Sequence, residues 1–346
     1  MNILRTIKGI CPVIILTALL LTGCKRFSTK ADYTFVVVGD NRVAPADTLN
    51  DASTANTYQL NRMFAEIAAL NPRPKYFFFL GDLVLGYTNG DTIRLVRELR
   101  EWKKLYLSSP LAKTDIKLIV VPGNHELCEK IGSGRVSIKA YERIFVSEMK
   151  QFIAGDNGPK ATGLIPATDS LMTDQSCLTY SFDYGGDHFV ICNTDPVDRE
   201  SRLPYHWLEH DLGSAHKQGA RHIFLFGHKP AFSPPPAHDG LDVYTSNRDS
   251  AWAAMTRNKC DVYFASHYHL WDSLHPMNEK STWQITSGNA GAPIAKSWPS
   301  PYFGFTIVNV NSEVEITSMG RDADREHQTA PAPDKSTTAR AHFTIK

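Results

Sequence analysis

The chain has 346 residues, 42% of them hydrophobic and 21% charged, with 37 basic against 36 acidic residues and a formal net charge of +1. That length buries a sizeable core as one large α/β domain or two small ones, and the composition is that of an ordinary globular protein, not a disordered or fibrous one. No basic run or excess points to a nucleic-acid partner.

The first feature in chain order is a leader. Arg5 and Lys8 precede an apolar segment, residues 10–21, about as long as a signal-peptide core and too short to span a bilayer comfortably. Leu21-Thr22-Gly23-Cys24 resembles the bacterial lipoprotein signal, in which cleavage falls before the cysteine and its sulfur receives a diacylglycerol. The resemblance implies a signal peptide over residues 1–23, lipidation at Cys24, and an exported protein anchored in a membrane of the bacterial cell envelope. The alternative is a plain secretory signal with a chance cysteine. Removing residues 1–23 leaves 35 basic against 36 acidic residues, a nearly neutral chain. Cys128, Cys177, Cys192 and Cys260 remain, an even number that permits two disulfides without the spacing of a disulfide framework. Buried free thiols fit Cys192 and Cys260 as well, and none of the four has metal-ligand spacing.

Residues 24–32 read as a short polar tether. Phe35-Val36-Val37-Val38 is then an apolar strand running into Gly39-Asp40-Asn41-Arg42. After a polar loop at 48–57, a helix carries Leu60, Met63, Phe64, Ile67 and Leu70 on one face and stops at Asn71-Pro72. The strand at 76–80 runs into Gly81-Asp82, and a second amphipathic helix follows with Asp91 and Thr92 at its N-cap. A third strand, 116–121, turns at Pro122-Gly123 into Asn124-His125-Glu126. Residues 127–176 carry glycines, prolines and a helical pattern near 137–152, and read as an insertion over the site, either a specificity lid or inert surface. Gly185-Gly186-Asp187 between two apolar runs reads as a β-hairpin. A helix near 204–217 leads to the strand that ends in Gly227-His228, and another near 248–258 to the strand that ends in Ser266-His267-Tyr268-His269. Strands at about 282–287, 302–310 and 313–319 close a domain over 33–320, and residues 321–346 read as a mobile tail. The alternation of strand and helix argues for parallel βαβ units with ligands at the carboxyl edge of the sheet.

The strand-end loops collect Asp40, Asp82, Asn124, His228, His267 and His269. Oxygen and imidazole nitrogen together suit Mn, Fe, Zn or Co better than Ca or a thiolate-bound metal. Two ions roughly 3.5 to 4 Å apart need a bridging ligand, which a carboxylate provides, and such a pair makes a hydroxide that attacks phosphorus in line. His125, beside a ligand, is placed to give a proton to the leaving oxygen. His267 and His269, alternating along an extended chain, would point the same way.

The order Gly-Asp, Gly-Asp, Gly-Asn-His-Glu, Gly-His and His-x-His resembles the calcineurin-like metallophosphoesterase superfamily over about residues 33–320. Gly-Asn-His-Glu with a downstream His-x-His is the specific part. The run from Ile191 to Asp195 followed by Trp207-Leu208-Glu209, and the Gly288-Asn289-Ala290-Gly291 loop, agree with it. The resemblance implies a four-layer α/β/β/α sandwich and two divalent or trivalent transition metal ions (Mn, Fe or Zn). It places Asp40 and His269 on the first ion, Asp82 as the bridge, Asn124, His228 and His267 on the second, and His125 as acid or leaving-group stabiliser. The implied substrate is a phosphomonoester or phosphodiester of a small molecule, lipid or nucleotide.

Two positions depart from the family pattern. Arg42 stands where Asp-x-His would have its histidine and cannot coordinate a metal, and Leu85 stands where many members carry a further ligand. The first ion is left with Asp40, Asp82 and His269. Arg42 reads instead as a clamp on substrate phosphate, and Tyr87 as a less favoured substitute ligand. His238, in the loop at 234–240, is a candidate substrate contact, whereas His188, His206, His210, His216, His222 and His275 read as surface or structural residues. Arg42 also favours an alternative of another class, a surface binding protein that keeps the fold and one metal but no hydrolysis.

Overall fold

The computed structural model describes residues 31–42, 57–235, 237–276, 282–294, 301–322 and 336–345. The expected leader, Cys24, the tether up to residue 30 and most of the loop at 48–57 lie outside the described residues. No helix among the described residues is long and apolar enough to cross a membrane.

The first half is the expected strand-helix series. Strand β1 (Tyr33–Val38) is buried along its whole length, which is why its aromatic and β-branched residues face both ways. It is followed by α1 (Thr57–Ala68), β2 (Tyr76–Leu80), α2 (Thr92–Ser108) and β3 (Lys117–Val121). Asp91 caps α2, its side chain accepting from the Arg94 backbone N–H at 3.0 Å. A single turn, α3 (Asn124–Leu127), leads into β4 (Cys128–Ile131), β5 (Gly134–Ser137) and α4 (Lys139–Met149). The second half runs β6 (Tyr180–Tyr184), β7 (Asp187–Ile191), α5 (Tyr205–Lys217), β8 (Ile223–Phe226), α6 (Thr245–Arg257), β9 (Val262–Ala265), β10 (Trp271–Leu274) and β11 (Trp283–Ser287). Three long strands finish it: β12 (Tyr302–Val310), β13 (Val314–Asp322) and β14 (Thr338–Ile345).

These strands form two six-stranded sheets, ordered β14-β13-β12-β1-β2-β3 and β10-β11-β9-β8-β7-β6, plus the small β4-β5 hairpin. Strands β1, β2 and β3 are mutually parallel, as are β7, β8, β9 and β11. Pleat alternation divides the phenylalanines of β2 between two cores. Phe77 and Phe79 pack outward with Phe64 and Trp102 of α1 and α2, while Phe78 points inward. There it stacks on Phe226 with ring centroids 4.0 Å apart, among Phe35, Phe189 and Phe264. A third core sits between the second sheet and α5 and α6, around Leu208, Leu212, Trp252 and Met255. Helix, sheet, sheet, helix is therefore the observed layering. Full burial of each phenylalanine contributes about 1.5–3 kcal/mol.

Two expectations are corrected. Segment 127–176 is not one cover over the site. Tyr141, Phe145 and Met149 of α4 are buried in the same outer core as α2, because the helix presents its apolar face to it. Only the β4-β5 part reaches toward the ligand loops among the described residues, through Arg135. The chain from 321 is not all tail: Arg321 is buried inside β13, and β14 pairs antiparallel with β13 from Val314↔Ile345 to Gly320↔Thr338. The intervening residues 323–335 lie outside the described residues. The expected parallel units are present in both sheets, and β12 joins β1 antiparallel beside them. Cys128, Cys177, Cys192 and Cys260 are free thiols.

Candidate metal centre

All the polar loops singled out above open at the carboxyl ends of β1, β2, β3, β8 and β9. Their backbones are bent into the left-handed region at Asp40 (φ 64°), Arg42 (φ 61°), Asp82 (φ 51°) and His267 (φ 68°). Non-glycine residues hold that conformation only when their surroundings enforce it, and such strain gathers at functional sites. Here the enforcement is visible. The Asn41 and Arg42 N–H groups donate to the Asp82 carbonyl at 2.9 and 2.8 Å, locking the β1 loop to the β2 loop. A side chain on Gly123 would place Cβ 2.4 Å from the Asp82 nitrogen, so the β2 and β3 loops touch backbone to backbone.

Glu126 ties the same loops from below. Its carboxylate accepts from the N–H groups of Gly123 (2.7 Å), Asp82 (3.0 Å) and Val84 (3.1 Å). Burial, and then the Asp82 charge, push its pKa up to about 7. Glu126 closes the Gly-Asn-His-Glu motif, and its signal in the chain is a carboxylate two residues after Asn124.

Two groups of donor atoms converge, each within 4.8 Å: Asp82, His228 and His267, and Asp40, Asp82 and His269. Asp82 belongs to both. In the first group, Nε2 of His228 lies 3.1 Å from Asp82 Oδ1, 3.0 Å from Asn124 Oδ1 and 3.1 Å from His267 Nδ1. In the second, Nε2 of His269 lies 3.7 Å from Asp40 Oδ1. The rings are turned by their outer nitrogens. His228 Nδ1–H donates to the Leu80 carbonyl at 2.8 Å, His269 Nδ1–H to Pro293 at 2.6 Å, and His125 Nδ1–H to Leu85. Each therefore turns its Nε2 inward, the edge through which such a ring would bind a metal.

The charges fit a cation. Asp40 Oδ1 and His269 Nε2 are buried without any hydrogen-bond partner, which is costly for such atoms unless an ion satisfies them. Burial, and then the neighbouring Asp82 charge, push Asp40 well above the usual carboxylate range. Burial also opposes ionisation of Asp82, but His125, His228 and Arg42 outweigh it and hold that carboxyl well below the range. Burial pushes His125 and His269 well below an ordinary histidine and His267 down to about 4, leaving neutral rings. Burial works against protonation of His228 too, yet the Asp82 carboxylate pushes its pKa up to about 9. The residues present thus suit borderline metal ions bound through oxygen and nitrogen.

The remaining predicted residues fall unequally. Arg42 turns Nε and Nη2 to Asp82 Oδ2, both at 3.4 Å, and His125 Nε2 is 3.6 Å from the same oxygen. The Tyr87 hydroxyl accepts from Asn124 Nδ2, and its ring stands against that of His125 at 4.3 Å. His238 does not join the site: its side chain is 81% exposed and its Nδ1 is 3.6 Å from Asp242. The next residue does, since Asp239 Oδ2 lies 3.4 Å from His267 Nε2. His267 and His269 share the cavity, but through the bend at His267, not through an extended strand, because β9 has ended at Ala265.

A family model described as calcineurin-like phosphoesterase matches residues 33–270. Purple acid phosphatase 21 of Arabidopsis thaliana is 27% identical over 178 residues, which covers 50% of this chain and 36% of that protein. Serine/threonine-protein phosphatase CPPED1 of Rattus norvegicus is 24% identical over 216 residues, 59% of this chain and 56% of that one. The chain thus spans between about a third and just over a half of these relatives. Among solved structures, purple acid phosphatase PPD1 from yellow lupin (Lupinus luteus) seeds has a TM-score of 0.58 at 17% identity, covering 90% of this chain and 53% of that one. GAP50, described as the anchor in the inner membrane complex of Plasmodium, has 0.53 at 15%, covering 92% and 90%. At those identities the likeness is one of fold.

Proposed function

The chain belongs to the calcineurin-like phosphoesterase family, and from that premise we propose that it is a metal-dependent phosphoesterase acting on a phosphomonoester or phosphodiester at the bacterial cell envelope, anchored through Cys24. One observation carries the catalytic part: Asp82 is the common member of two adjoining donor groups. Asp40 and His269 would hold one ion with it, and Asn124, His228 and His267 the other. Bound ions supply positive charge that makes a water nucleophilic near neutral pH and neutralises phosphoryl oxygens. The chain's own residues do the rest. Arg42, with a side chain 21% exposed, offers a planar fork to a phosphate entering above Asp82. His125, held through Nδ1 by Leu85, keeps Nε2 available for a proton bound for the leaving oxygen. Glu126 holds the Asp82 and Asn124 loops in register.

The test is hydrolysis of p-nitrophenyl phosphate and bis-p-nitrophenyl phosphate by the purified protein, with Mn²⁺ titrated after chelation and Asp82→Asn alongside. Metal-dependent turnover lost in the variant supports the enzyme, and the preferred compound assigns the ester class. A specific contact favours the second reading, a surface binding protein with one metal: Arg42 already compensates the Asp82 oxygen that would face the first ion. No turnover at any metal level, with at most one Mn²⁺ per chain, would decide for it. Metabolic labelling with a fatty acid, present in the wild type and absent in Cys24→Ala, tests the anchor.

A further inference from the structure

Resting on that reading of the site, we propose that Arg135, from the β4-β5 hairpin, is a positioning residue that sets the donor state of two metal ligands at once. Its guanidinium reaches both sides of the His228 group. Nε donates to the Tyr87 hydroxyl oxygen at 2.8 Å, and Nη1 donates to Asp239 Oδ1 at 2.5 Å. The side chain is 25% exposed, so this fork is largely shielded from water.

On one side the chain of contacts ends at Asn124. A phenol oxygen has two lone pairs, and that of Tyr87 accepts from Arg135 and from Asn124 Nδ2. Arg135 fixes the hydroxyl in place, and the Asn124 amide meets it through its NH₂. Its oxygen is thereby turned the other way, to 3.0 Å from His228 Nε2, which is the orientation a ligand needs. Without Arg135 the Tyr87 hydroxyl loses the donor that fixes it, and the Asn124 amide loses its fixed acceptor.

On the other side it ends at His267. Asp239 spends Oδ1 on Arg135 and turns Oδ2 to His267 Nε2 at 3.4 Å. A carboxylate there requires Nε2 to carry the proton, so Nδ1 keeps its lone pair, 3.1 Å from His228 Nε2. Unlike His228 and His269, whose tautomers are set by backbone carbonyls, His267 depends on a side chain that is 43% exposed and held by one arginine. The hairpin carrying Arg135 lies outside both sheets. Its first residue, Cys128, is anchored in the outer core, while Arg135 itself is partly exposed and packs in no core.

The experiment compares wild type, Arg135→Ala and Arg135→Lys for Mn²⁺ affinity by titration calorimetry on chelated protein. It adds the ¹⁵N shifts of the His267 ring, kcat and KM, and the thermal midpoint of the metal-free protein. Expected for Arg135→Ala are a 10- to 100-fold weaker Mn²⁺ site, a His267 ring that loses its single tautomer, a lower kcat at limiting metal, and an unchanged metal-free midpoint. Arg135→Lys, whose one ammonium cannot reproduce the fork, should recover part of the affinity. Wild-type affinity and an unchanged His267 tautomer in Arg135→Ala overturn the inference and leave the phosphoesterase reading standing. A rise in KM alone also overturns it, because it moves Arg135 onto the substrate. Absence of Mn²⁺ binding in the wild type removes both.

Discussion

At the scale of single residues, the site divides into groups that touch the reaction and groups that hold them. Asp82→Asn removes the charge shared by both donor groups, and His125→Ala removes the ring facing its Oδ2. Each is expected to lower turnover by two or more orders of magnitude in the nitrophenyl ester assay; near-normal rates in both would remove the mechanism. Glu126→Ala should be felt in folding as well. It leaves three buried N–H groups without an acceptor, so we expect a loss of about 3 kcal/mol in urea unfolding, from roughly 1–3 kcal/mol for each orphaned group. The ligand residues were legible in the chain because each follows an apolar run and a turn. Glu126, Tyr87, Asp239 and Arg135 were not assigned these roles, because hydrogen bonds between loops remote in sequence create them. His238 faces solvent, and its neighbour Asp239 is the residue that meets His267.

At the scale of elements, two polar contacts fasten the second sheet to its surroundings. Lys229, immediately after His228, donates to Asp195 and, at 2.8 Å, to Ser201, and the Lys229 and Asp195 side chains are each 1% exposed. Lys229→Met strands a buried carboxylate and is expected to cost about 3–5 kcal/mol. His188 on β7 bridges Asp183 of β6 at 2.6 Å and Asp211 of α5 at 3.0 Å. Burial opposes its protonation, but Asp211 and then Asp183 outweigh burial and raise its pKa above the ordinary 6.5. A raised value means the folded state holds the proton more tightly. This stabilisation is full below pH 6.5 and disappears as pH rises through the folded value. The urea midpoints of wild type and His188→Gln should therefore converge at high pH; a gap independent of pH would contradict the assignment. Elements with strong periodicity, such as α1, α2 and the strands ending in Asp40, Asp82 and Asn124, were readable from pattern alone. Strand β14 was not. Its register on β13 slips between Ser318 and Met319, and five of its eight residues are exposed; only Ala341, Phe343 and Ile345, on alternate positions, are half-buried or buried, a pattern that only its partner strand makes meaningful.

For the whole molecule, the shared Asp82 makes metal loading a matter of global stability. At a free Mn²⁺ concentration about 100-fold over its dissociation constant, folding should gain about 2.7 kcal/mol, seen as a higher thermal midpoint that chelation reverses; Asp82→Asn should abolish the gain. Deleting residues 336–346 removes Ile345 and Phe343 from the core between the sheets and should cost about 2–4 kcal/mol in urea unfolding, at 1.5–3 kcal/mol for a fully buried side chain. An unchanged midpoint would mean that β14 contributes nothing to the fold. The pairing Tyr33↔Val310 has a further consequence, one of timing. Strand β1 sits between β2 and β12, so one of its edges stays open until residues 302–310 have been made. At 5–20 residues per second, a ribosome delivers that partner roughly 15 to 55 seconds after β1 emerges. Throughout that interval one edge of β1 lacks its partner, and the nascent chain offers a holding chaperone an unpaired apolar strand.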